Sequence, residues 1–66
     1  MGAVMKTTMF GAIRKNDSGE FLIADEIACM RELVEDRIAK HKREIPQWHR
    51  TNPVQRIAKI LVEEIQ

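Results

Sequence analysis

Cys29, His41 and His49 are the side chains of this 66-residue chain best suited to hold a metal ion, and Trp48-His49-Arg50 is the triplet best suited to grip a partner. Metal binding needs donors spaced so that they converge, such as two histidines at i, i+4 or a Cys-x-x-Cys pair. No pair among Cys29, His41 and His49 has that interval, so no metal and no other cofactor is expected, and His41 reads as a partly buried structural histidine. Catalysis has no better footing. There is no Gly-rich phosphate loop, no nucleophile elbow, and no Ser/His/Asp set that so short a chain would hold rigidly. The chain is expected not to be an enzyme.

Binding chemistry is better represented. Trp48 is the only tryptophan. It is expected to plug the end of a helix pair, because a buried indole removes roughly 150–250 Å² from water. Its alternative role is an exposed anchor, since Trp and Arg are the residues most enriched at interface hot spots. Trp48, His49, Arg50 and Ile60 are therefore the candidate partner-binding residues. Charge is divided along the chain. Between Asp17 and Asp36 seven acids stand against Arg31 alone, and between Arg37 and Lys59 seven bases stand against Glu44 alone. A helix dipole favours acids early and bases late, which explains part of this. The remainder is a basic corner of Lys40, Arg43, Arg50, Arg56 and Lys59, the candidate nucleic-acid surface.

The elements that must position these residues follow from periodicity. Ile27, Met30, Val34, Ile38 and Ile45 recur at helical steps, about 100° per residue, and predict a first helix over 25–45, capped by Asp25 and ended by Pro46. Val54, Ile57, Ala58, Leu61, Val62 and Ile65 predict a second over 53–65, with Asn52 as cap and Pro53 in the first turn. Ile60 falls off its apolar arc. The short connection places the two helices as an antiparallel hairpin. Before them, 7–14 and 20–23 carry strand-like residues around Asn16-Asp17-Ser18-Gly19, which suits a type I turn with a positive φ at the glycine. A short β-hairpin over 7–24 is the expectation, with Gly11 a candidate bulge. The competing arrangement has Ser18 cap a single helix from Glu20 to Glu44. Residues 1–6 are expected to be disordered.

The fold class is thus mainly α, one domain over 1–66, an antiparallel helical hairpin preceded by a short β-hairpin. A chain this small rarely supplies more than roughly 3–5 kcal/mol from its own core. With one cysteine and no metal site, help is expected from self-association, with Cys29, Leu33 and Ile60 at the homodimer interface and Cys29 read as a small buried hydrophobe. A lone thiol, no secretory signal and no apolar run near the roughly 18 residues that span a bilayer point to a cytoplasmic protein without a membrane partner.

The short, charged sequence with Met1 and Met5 as alternative starts, and its run from Met30 to Lys42, resembles the small early accessory proteins of lambda-like phages. The resemblance implies action on a host or partner protein by binding, and carries no site residues. Two functions are expected from the residues themselves. One is a small homodimeric regulatory or accessory protein that binds and modulates a partner protein; the other is a DNA-binding transcriptional regulator using the corner around Arg50, Arg56 and Lys59.

Overall fold

The computed structural model describes residues 4–65, with Ile65 described by its backbone only. Two long strands dominate it: β1, Val4–Asn16, and β4, Val54–Ile65, antiparallel and in register from Val4 opposite Ile65 to Arg14 opposite Val54. Between them come β2 (Gly19–Phe21), a 3-10 turn (Ala24–Glu26), β3 (Ile27–Ala28), α1 (Arg31–Glu44) and α2 (Pro46–Thr51). The sheet is built on β1. One of its edges carries β4, and the other carries β2 at Arg14–Asn16 and β3 at Phe10–Gly11.

The helical hairpin is therefore overturned. Val54–Ile65 is a strand, although its apolar residues also fit a helical stripe. Seven of its residues, Val54, Ile57, Ala58, Ile60, Leu61, Val62 and Ile65, are apolar, and five of those are β-branched and stiff at χ1, which suits a pleated surface. With β1 available as a long complementary strand, backbone pairing over this span outweighs a short isolated helix. Ile60, the residue that did not fit the helical arc, takes its place opposite Met9.

Helix α1 starts later than the periodicity predicts. Asp25 lies in the 3-10 turn, Ile27 lies in β3, and Met30 is the exposed residue preceding the helix. Only Val34 and Ile38 of the predicted stripe remain on α1, and Ile45 is its exposed C-terminal cap. Pro46 opens α2 as well as ending α1, and Asn52 closes α2 by donating its backbone N–H to the Trp48 carbonyl. The turn after β1 is at Asp17-Ser18: Asn16 Oδ1 accepts from the Ser18 N–H at 2.8 Å, and Gly19 takes φ 116°. Of the expected disordered start, residues 1–3 lie outside the described residues, and Val4–Lys6 belong to β1.

Opposed residues of an antiparallel pair share a face, and neighbours alternate. Phe10 and Ala12, with Ile57 and Ala28, face α1, where they meet Val34 and Ile38 in a core whose buried apolar members, among the described residues, are Ala12, Ala28 and Val34. Met9, Gly11, Ile13, Ile27, Ala58, Ile60 and Val62 take the other face. Gly11 is not a bulge; the irregularity falls at Ile13/Arg14, where β4 has the extra residue Gln55. A methyl group on Gly11 would lie 2.7 Å from Ile60 Cδ1 and 2.9 Å from Leu22 Cδ2, so its bareness lets those side chains close over the sheet. Toward the amino terminus, past Phe10, β1 has only β4 as a strand neighbour among the described residues, and the pair projects as a ribbon. The radius of gyration of 13.7 Å exceeds the about 11 Å of a compact domain this long for that reason.

Candidate functional site

On the helix face, a cluster of charged side chains is buried at the end of the sheet. Arg14 comes from β1, Glu26 from the 3-10 turn, His41 from α1, Trp48 and His49 from α2, and Asn52 from the residue that closes α2. Arg14 and Glu26 have no exposed surface. The Arg14 guanidinium makes a bidentate pair with the carboxylate, Nε donating to Oε1 at 2.7 Å and Nη2 to Oε2 at 2.6 Å. Its Nη1 donates to the Asn52 carbonyl at 2.6 Å and lies 3.3 Å from His49 Nδ1. The indole of Trp48 covers it, with the guanidinium carbon 4.6 Å from the ring centroid. His41 Nδ1 donates to Glu26 Oε2 at 2.8 Å, its Nε2 stands 3.2 Å from Asp25 Oδ2, and its ring meets Trp48 edge-on.

Electrostatics follow from these contacts. Burial pushes the Glu26 carboxyl up, but hydrogen bonds from Arg14 and His41 and their charges outweigh it and hold the group below its ordinary range. His49 is pushed down, first by desolvation and then by the charges of Arg14 and Lys42. A guanidinium only donates, so Nδ1 of His49 faces it as an acceptor, which fits the neutral ring. Among the described residues no buried side-chain nitrogen or oxygen lacks a hydrogen-bond partner. The cluster locks β1, the 3-10 turn and both helices together, and its polar atoms are engaged with one another rather than with an open cavity. Arg37 adds a tie by donating to the carbonyls of Ile27 and Asp25.

The opposite face of the sheet is bare. Met9, Ile13, Ile27 and Ile60 are half-buried there, with Leu22 and Val62 exposed, and no helix covers them among the described residues. Thr7, Met9, Val62 and Glu64 line an open groove of about 220 Å³ on it. Arg56 and Glu20 flank the face with a bidentate surface pair, and the Glu20 carboxyl is lowered by its hydrogen bonds to Arg56.

The expected sites are redistributed by this fold. Trp48 and His49 are half-buried in the charged cluster, whereas Arg50 is exposed and bonded to Gln47, so the triplet does not form one tip. Ile60 lies on the bare face, far from the triplet in topology. Cys29 is exposed, contrary to its reading as a buried hydrophobe, because it sits in the bend between β3 and α1. Leu33 is exposed on the outside of α1. The basic corner is divided: Lys40 and Arg43 are exposed on α1, Lys40 beside Glu44; Arg56 is opposite Ile13 on the bare face; Lys59 is opposite Phe10 on the helix face. His41 is buried more completely than expected, and its companions Arg14 and Glu26 were missed, since no sequence interval marks a pair brought together by a strand and a turn. Among the described residues no group of three or more His, Cys, Asp or Glu side chains is placed to hold a metal ion, and no helix is long and apolar enough to cross a membrane. No family model, no curated protein and no solved structure matches this chain.

Proposed function

We propose that this chain is a non-catalytic regulatory or accessory protein that acts in the cytoplasm by docking a partner protein on the bare face of its sheet. The observation that carries the reading is the contrast between the two faces. Over Phe10–Arg14 one is covered by α1 and locked by satisfied buried charges; the other leaves Met9, Ile13, Leu22, Ile27, Ile60 and Val62 in one apolar patch with polar residues at its margin. Apolar patches rimmed by polar groups are the pattern of protein contact surfaces. The exposed thiol of Cys29 suits a reducing compartment. The DNA-binding alternative has less support, because its five bases are spread over α1, α2 and both faces of β4, and Arg56 is already held by Glu20.

A photo-crosslinking residue at Leu22, which is exposed on the patch, and another at Ala39, exposed on α1, test this in cells that express the chain. A discrete protein adduct at position 22 and none at 39 is the expected result. Adducts only with nucleic acid, or equal labelling at both positions, would overturn the reading.

A further inference from the structure

We infer that the outer edge of β4 is a self-pairing surface, on which β4 of a second copy aligns antiparallel about a two-fold axis through Leu61. This surface is separate from the bare face and does not rest on the docking role given to it. Four observations converge on it. First, β4 is paired along one edge only: over Val54–Ile65 its register partners all belong to β1, and its other edge carries no strand among the described residues. An open strand edge presents a row of backbone donors and acceptors that another strand satisfies. Second, the strand has no proline or glycine within it to break such a ladder, Pro53 lying just before its start.

Third, its charges are self-complementary. Bases occupy the first half, Arg56 and Lys59, and acids the second, Glu63 and Glu64. Antiparallel pairing of two identical strands sets the basic half of each against the acidic half of the other, whereas parallel pairing sets like on like. With the axis at Leu61, Lys59 of each copy stands opposite Glu63 of the other, Ile60 stands opposite Val62, and Leu61 meets itself. Lys59 has no ion pair within its own chain among the described residues, and Leu61 is the most exposed large apolar side chain described, at 59%. The neighbouring axis through Ile60 instead sets Lys59 against Leu61 and Ile57 against Glu63. Fourth, Ala12, Ala28 and Val34, the buried apolar residues among those described, are a small core for a chain of this length without a disulfide, and the projecting ribbon is the part with least support. Pairing β4 with a second β4 covers that ribbon on its β4 side.

An axis normal to the sheet keeps the faces in common, so the two bare patches lie side by side on one continuous sheet. A partner with a repeated or two-fold surface would engage both, which raises its avidity without new contacts.

The test is a charge-swap mixing experiment read by sedimentation equilibrium against the 7.7 kDa chain mass. Wild type is expected to sediment as a dimer. Lys59→Glu and Glu63→Lys, both at exposed positions, each place like charges opposite one another at both symmetric contacts and should each weaken self-association roughly tenfold. Their equimolar mixture recreates both attractions and should dimerise as wild type does. In a Cys29→Ser background, Leu61→Cys should form a symmetric disulfide under mild oxidation, while Thr8→Cys, on the same face but off the axis, should not. A wild-type chain that stays monomeric, a mixture no tighter than either variant alone, or a dimer broken by Leu22→Arg and indifferent to Lys59→Glu would each overturn the inference.

Discussion

Removing the Glu26 carboxylate should cost this protein a large share of its stability. Glu26 has no exposed surface and accepts three hydrogen bonds, two from Arg14 at 2.7 and 2.6 Å and one from His41 at 2.8 Å. In Glu26→Ala the Arg14 guanidinium stays fully buried with only the Asn52 carbonyl and His49 to receive its protons. Breaking one side of a buried pair costs about 3–5 kcal/mol, because the surviving charge is uncompensated. A chain of this length has a total stability of roughly 3–10 kcal/mol, so the loss consumes about three tenths of it or more. Asp25→Ala is the contrast: its side chain is 73% exposed with one contact at 3.2 Å, so its loss should cost at most about 1 kcal/mol. Urea unfolding followed by far-ultraviolet circular dichroism and by Trp48 emission reads both, since the indole lies against Arg14. Replacing both partners, Arg14→Met with Glu26→Leu, should recover most of the loss, as apolar substitution of a whole buried pair is often neutral. The pH dependence has a definite sign. A carboxyl depressed below its ordinary 4.5 contributes stability that is fully present above that value and is lost as pH falls through the lower folded value. Glu26→Ala should lack that acid limb. A loss below about 1 kcal/mol, or a double variant no more stable than Glu26→Ala, would refute the assignment of the cluster as the lock of the fold.

Three further outcomes follow from the same geometry. Val34 has no exposed surface, so Val34→Asp buries an unpaired charge and should abolish the cooperative thermal transition; a melt equal to wild type would defeat the core assignment. Trp48→Ala should cost about 2 kcal/mol by uncovering Arg14, with Trp48→Phe losing less, as measured by urea midpoint; a stability equal to wild type with lost partner crosslinking would make Trp48 a contact residue instead. His49 should titrate below its ordinary 6.5 in a proton NMR titration. Because its folded value is depressed, its contribution to stability is present above pH 6.5 and is lost as pH falls through the folded value; a midpoint at or above 6.5 would contradict the ring's placement beside Arg14.

The turn at Asn16-Asp17-Ser18-Gly19 was legible in the sequence by itself because turn chemistry is local: an Asx side chain bonds the backbone two residues on, and glycine alone takes φ 116° without strain. The core of α1, with Val34 and Ile38 a turn apart, was legible by the same kind of short-range spacing. Its start was not, since Ile27 and Met30 continue the stripe while β1 draws Ile27 into a strand through the Gly11 pairing. For Val54–Ile65 the apolar positions fit a helix stripe and a two-faced strand alike, and only the presence of Val4–Arg14 alongside decides between them. Tertiary structure alone also determines the site. Arg14 and Glu26 read as two of many surface charges until the strand, the 3-10 turn and α1 converge, because burial of an ion pair depends on what excludes water from it. The bare apolar face is likewise a property of where α1 lands, which no residue spacing within β1 or β4 specifies.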